Sequence, residues 1–141
     1  METTTDALST VLDLALTRTI VTREVDAALG AHGLALSDLA LLLELRDAPD
    51  GRLRRVELAN RLGVTTSGVA RQLQPLERIG LVGRESHSRD ARLALVVLTD
   101  TGRRVADESV PTAEAAAERA LARLWPAAER ERLAKLMAAV R

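Results

Sequence analysis

The sequence predicts a mainly helical α+β fold in which long helices at both ends frame a central segment of short helices and a β-ribbon. Three observations carry this. Apolar residues keep helical spacing over residues 6–30 and again over much of 100–141. Across residues 56–79 the helical runs become short and are punctuated by Gly63 and Gly80. Over residues 81–98 the pattern changes to two strand-like runs around a polar connection. The 141 residues suffice for one domain and one modest core. That domain is 1–141, with 37–98 as its central part and 6–30 and 100–141 as its helical part.

In the first helix, residues 6–30, Leu8, Val11, Leu12, Ala15, Leu16, Ile20, Val25 and Leu29 hold helical spacing, and Leu14 and Val21 widen the stripe beyond one face. A helix this apolar is poorly soluble alone, so it is expected to pack on two sides, against its own chain and against a partner chain. Residues 31–36 form a short connection containing Gly33. Ser37 can cap a second helix over 38–46, apolar at Leu39, Leu42, Leu43 and Leu45. Ala48-Pro49-Asp50-Gly51 is a turn. The basic run Arg52-Leu53-Arg54-Arg55 then fits a short third strand; Arg54 and Arg55 read equally well as phosphate contacts or as a solvated loop.

The central segment holds the chemistry. A short helix over 56–62 presents Leu58, Ala59 and Leu62 on a narrow apolar face, and small Ala59 permits a close helix crossing. Gly63 stops it by accepting a positive φ, and Val64 is expected to pack into the corner. The Thr65 hydroxyl can cap the next helix, residues 66–79. Its buried stripe is Val69, Leu73 and Leu76; Gly80 closes it. Opposite that stripe lie Ser67, Arg71, Gln74 and Arg78, with Thr66 at the start and Glu77 as the one acid near the edge. Guanidinium, amide and hydroxyl groups without acids suit a major groove: Arg can bond guanine twice, Gln can pair with adenine, and hydroxyls take phosphate or base edges. Residues 81–87 and 92–98 are the strand-like runs, joined by Ser88-Arg89-Asp90-Ala91. Arg84, Arg89 and Arg92 cluster there, as a ribbon reaching a narrow minor groove would require, while Asp90 suits turn capping. Together these are a helix-turn-helix followed by a wing, directed at double-stranded DNA.

These residues resemble the multiple-antibiotic-resistance-regulator (MarR) family of bacterial transcription regulators over nearly the whole chain. The resemblance rests on Glu57-Leu58-Ala59, Val64-Thr65, Leu76-Glu77-Arg78-Ile79-Gly80-Leu81-Val82, Arg89-Asp90-Ala91-Arg92 and Leu98-Thr99-Asp100-Thr101-Gly102, in that order. Two positions depart from the family pattern. Ala91 stands where the family often carries a basic residue. Pro75 lies inside the second motif helix, where it removes a hydrogen bond and crowds the Arg71 carbonyl, so a kink or local loosening is expected. The resemblance implies a homodimer interlocked through its first and last helices. It also implies a small, often aromatic or anionic effector bound between those helices and the reading part. His32 and Arg23 are the polar handles available there, with a plain structural role the simpler reading of both.

After the wing, Thr99 can cap a long helix beginning at Asp100, with Val105 and Val110 apolar and a kink expected at Pro111. Ala113, Ala116, Ala120 and Leu124 lie near one line. Trp125-Pro126 marks a break, with Pro126 suited to the first turn of a last helix over 126–140. Leu133, Leu136, Met137 and Val140 form its apolar side, and Trp125, the only aromatic residue, reads as a packing anchor.

Charge supports the same division. Net charge is zero, but residues 1–51 carry −6, 52–92 carry +5 and 93–141 carry +1. The basic excess falls on the proposed reading segment, and phosphates sense the surface within about 8–10 Å of them. With no cysteine, disulfides and thiolate metal sites are excluded, and His32 and His87 have no ligand pattern. No cofactor is expected. No apolar run reaches a membrane span and no basic leader is evident, which favours the cytoplasm. No nucleophile motif, glycine-rich phosphate loop or metal cluster marks an enzyme.

The sequence thus reads as a regulator, in the sense of a repressor, on a palindromic operator. Arg54, Arg55, Thr65, Thr66, Ser67, Arg71, Gln74, Arg84, Arg89 and Arg92 are its DNA-binding candidates, and two recognition helices about one DNA turn apart match the palindrome. The alternatives are a winged-helix protein-interaction module and a non-specific DNA-binding protein without ligand response.

Overall fold

A computed structural model describes residues 6–86 and 94–141. Helix α1, Ala7–Leu29, begins where the Asp6 carboxylate accepts the Ser9 N–H at 2.6 Å. That capping bond also holds the Asp6 carboxyl below its ordinary value. The chain leaves α1 through a 3-10 turn, Gly30–His32, and reverses at Gly33, whose φ of 72° suits glycine.

Helix α2, Leu36–Asp47, starts earlier than its sequence indicates. Ser37 is not its cap. The Leu36 N–H donates instead to the Asp26 carboxylate of α1 at 2.6 Å, and the Ala35 N–H donates to Asp38 at 2.9 Å. An acceptor supplied from ten residues upstream replaces the local hydroxyl. Leu39, Leu41, Leu42 and Leu45 of α2 are all buried, so this helix is enclosed on more than one side.

The turn Pro49–Gly51 places Asp50 at φ 57° and Gly51 at φ 67°, and leads into β1, Arg52–Arg54. Two further strands are β2, Val82–Glu85, and β3, Leu95–Leu98. They form an antiparallel sheet in the order β1-β3-β2, with Leu53 opposite Val96 and Val82 opposite Leu98. The third strand expected at Arg52-Leu53-Arg54 is therefore present. Leu53, Val82, Val96 and Leu98 turn into the core while Arg52, Arg54 and Arg84 stay exposed, the alternation of a half-buried sheet.

Between β1 and β2 lie α3, Arg55–Leu62, and α4, Thr66–Arg78; after β3 come α5, Asp100–Leu124, and α6, Ala127–Ala138. The kinks expected at Pro75 and Pro111 do not divide their helices: α4 and α5 each continue as one element through the proline. Both prolines are exposed, so water can take up the carbonyl each one orphans. Pro126 is the N-cap residue of α6 rather than its first helical residue.

One core joins the parts: Val25 and Leu29 of α1, the leucines of α2, Leu58 of α3, Val69, Leu73 and Leu76 of α4, the inward sheet residues, and Ala106 and Ala116 of α5. The buried Ser109 hydroxyl is satisfied by donating to the Val105 carbonyl at 2.6 Å. Of the two sides expected to pack, α1 buries one against its own chain. Val25 and Leu29 are buried, whereas Leu8, Val11, Leu12 and Leu16 are each 60% exposed or more. Leu136 and Val140 at the C-terminus are likewise exposed. Trp125 is half-buried and lines a groove of about 550 Å³ with Leu14 and Val21 of α1 and Leu133 and Met137 of α6. No single helix among the described residues is long and apolar enough to cross a membrane.

Candidate nucleic-acid interface

The interface begins at the corner between α3 and α4. Leu58 and Ala59 are buried, and Gly63 takes φ 67° to end α3. The Val64 N–H then donates to the Ala59 carbonyl at 3.0 Å, which fixes the turn through the backbone. Val64 does not fill the corner as expected: it is 47% exposed, because Gly63 and this bond make the bend without its side chain. Thr65 is the N-cap of α4, its hydroxyl accepting the Gly68 N–H at 3.0 Å.

Val69, Leu73 and Leu76 bury one side of α4, and Thr66, Ser67, Arg71, Gln74 and Arg78 are exposed on the remainder. Two ties absent from the sequence reading hold the helix. Gln72 Nε2 donates to the Ser37 carbonyl of α2 at 2.7 Å. At the other end, the Thr99 hydroxyl donates to the Gly80 carbonyl at 2.6 Å and accepts the Gly102 N–H at 2.9 Å, joining the exit of α4 to the start of α5. Gly102 is required there, since a Cβ would lie 2.0 Å from the Leu81 carbonyl oxygen. No local sequence pattern signals a bond between elements this far apart; only the glycine of Thr99-Asp100-Thr101-Gly102 hints at close approach.

The arginines divide into two groups. Arg84 Nε of β2 donates to Glu77 Oε1 of α4 at 2.7 Å, Arg54 Nε donates to Glu57 Oε1 of α3 at 2.7 Å, and Arg52 reaches Glu85 across the sheet at 3.3 Å. The Arg54 hydrogen bond holds the Glu57 carboxyl below its ordinary value, and Glu77 raises the Arg84 guanidinium. Arg55, Arg71 and Arg78 have no ion-pair partner among the described residues. Thr65, Thr66, Ser67, Arg71 and Gln74 thus share α4 and its cap, with Arg84 linked to that helix through Glu77. Arg54 and Arg55 stand at the β1–α3 junction. Arg89, Arg92, Asp90 and His87 lie outside the described residues.

The polar handles expected for an effector are otherwise engaged or dispersed. His32 Nε2 lies 2.8 Å from the Thr112 hydroxyl of α5, a bond that joins the α1–α2 connection to α5, and Arg23 is exposed on α1. No group of His, Asp or Glu among the described residues could hold a metal ion.

A capped, acid-poor helix set behind a tight turn and flanked by a three-stranded sheet defines a winged helix-turn-helix protein. A family model described as winged helix-turn-helix DNA-binding matches residues 34–82. The HTH-type transcriptional repressor YetL of Bacillus subtilis (strain 168) is 35% identical over 80 residues, 57% of this chain; the match spans 48% of YetL, about half its length. Sco3205, a MarR family transcriptional regulator from Streptomyces coelicolor solved in complex with DNA, superimposes with a TM-score of 0.80 at 26% identity, over 96% of this chain and 90% of that one. The Mycobacterium tuberculosis MarR family protein RV2887, solved with p-aminosalicylic acid, gives 0.71 at 28% identity over 92% and 96%. The chain thus carries a winged helix-turn-helix DNA-binding segment over residues 34–82, and its whole fold is similar to that of MarR family transcriptional regulators.

Proposed function

We propose that this protein is a DNA-binding transcription regulator, acting in the cytoplasm as a repressor, that binds a palindromic operator as a homodimer. The observation that carries this reading is the outer face of α4: exposed Ser67, Arg71, Gln74 and Arg78, with Arg71 and Arg78 unpaired among the described residues. A solvated helix surface in a charge-rich protein commonly pairs its arginines with acids, as α6 does with Arg132–Glu129 and Lys135–Glu131. The likeness to the YetL repressor and to a regulator solved with DNA supports the same reading. Because relatives of this fold act on DNA rather than on a turned-over substrate, no catalytic role is assigned.

In this reading, Arg71 and Gln74 meet base edges in the major groove, and Thr65, Thr66 and Ser67 meet phosphate or base edges near the helix N-terminus, whose free N–H groups favour an anion. Arg55 neutralises backbone charge, and Arg89 and Arg92 serve the wing. The exposed aliphatic residues of α1 and the C-terminus form the dimer face, which brings two recognition helices to successive turns of one duplex face. A small-molecule effector that changes their spacing would release the DNA; the likeness to a protein solved with p-aminosalicylic acid supports an aromatic anion.

The test is binding to the duplex upstream of the protein's own gene and to random DNA of equal length, at about 150 mM salt. Specific binding by a dimer, weakening steeply with salt, is expected. Equal and weak binding to both duplexes would favour a non-specific DNA binder, and no binding even at low salt would favour a protein-interaction module.

A further inference from the structure

Glu77 is the one carboxylate on α4, and in a helix read as a phosphate-facing surface an acid is electrostatically adverse. Its placement accounts for it. The side chain is 25% exposed, and Oε1 accepts Arg84 Nε at 2.7 Å. Arg84 lies on β2, paired in register with Val96 of β3, and the adjacent Glu85 is bound across the sheet by Arg52 of β1. All three strands are thus linked to one another, and Glu77–Arg84 is a charged tie between that sheet and the exposed flank of the recognition helix. Leu76 and Leu81 pack on the buried side, where the Leu81 N–H donates to the Leu76 carbonyl at 3.0 Å and the Thr99 hydroxyl to the Gly80 carbonyl at 2.6 Å. Glu77–Arg84 supplies the charge-assisted bond on the opposite, exposed flank, which fixes the tilt of the sheet from the second side.

We propose that Glu77 is a positioning residue for DNA specificity: by holding Arg84 it sets the sheet against α4, so that major-groove reading by α4 and backbone contact by the sheet occur in one register. This rests on the DNA-binding reading and adds to it the assignment of Arg84 as a brace rather than a phosphate contact. A second consequence concerns non-specific binding. A released Arg84 becomes one more cation for any phosphate, so breaking the tie should lower specific binding while leaving random binding unchanged or raised.

The test uses Glu77→Ala and Glu77→Gln in the full-length protein, with circular dichroism to establish that both fold. Both substitutions remove the same charge, but the Gln amide oxygen still accepts from Arg84. Affinity is measured for a duplex recovered by selection from random sequence and for random DNA. The specific-to-random ratio is expected to fall about twofold to fivefold per half-site in Glu77→Ala, the range of an exposed ion pair, and by less in Glu77→Gln. If Glu77 is only an adverse charge, the two variants will behave alike and both will bind both DNAs more tightly, which overturns the proposal while leaving the DNA-binding reading intact. A wild-type protein that does not distinguish the two DNAs overturns both.

Discussion

Arg71 and Arg84 carry the same guanidinium and stand on neighbouring elements, yet only Arg84 is held by an acid among the described residues. In the proposed function this difference assigns Arg71 to reading and Arg84 to bracing. Arg71→Ala is expected to weaken binding to the specific site by about 1–3 kcal/mol per half-site, with little change on random DNA. Competition binding on the two duplexes checks this, and equal losses on both would reduce Arg71 to a phosphate contact. A pH dependence follows at Glu57. Its carboxyl is lowered chiefly by the Arg54 hydrogen bond, so the pair's contribution is full above the ordinary glutamate value of 4.5 and is lost as pH falls through the lowered one. Thermal unfolding of wild type and Glu57→Gln should therefore differ at neutral pH and converge in acid. A gap that persists in strong acid would show that the substitution acts through something other than this ionisation.

At the scale of elements, α4 was legible because its signals are local. A capping threonine, two glycine stops and a stripe of Val69, Leu73 and Leu76 sit within one window of sequence, and each was found where expected. The outer face followed from the same periodicity. What the sequence hid are contacts between distant elements: Asp26 capping α2, Gln72 held by the Ser37 carbonyl, Thr99 bonded to Gly80, and Glu77 holding Arg84. Periodicity fixes which side of a helix is buried but not which neighbour lies across from it. Proline shows the same limit of a local signal, since α4 and α5 each continue through one. Its cost is local, whereas continuity of the helix is decided by the packing of residues on both sides. Pro75 still removes one backbone hydrogen bond in α4, on an exposed position. Pro75→Ala is thus expected to raise stability by roughly 1–3 kcal/mol in denaturant unfolding. An unchanged or lowered midpoint would mean that the native helix depends on the proline conformation.

At the scale of the molecule, charge and apolar surface are segregated. Residues 52–92 carry +5 within a neutral chain, while α1 leaves Leu8, Val11, Leu12 and Leu16 open. Exposed aliphatic rows of this kind are costly in water, and in the proposed dimer they form the shared face. Leu12→Glu is expected to shift the protein from dimer to monomer in sedimentation velocity, and with it to abolish tight operator binding, because a monomer offers one half-site only. A Leu12→Glu protein that remains dimeric would place the interface elsewhere.

The most direct measurement is selection of bound duplexes from random-sequence DNA by the purified protein at about 150 mM salt, followed by sequencing. The expected result is enrichment of an inverted repeat whose half-site centres lie about 10 bp apart, the spacing of two recognition helices on one duplex face. Recovery of unenriched sequence, or of no DNA at all, would contradict sequence-specific reading by the exposed face of α4.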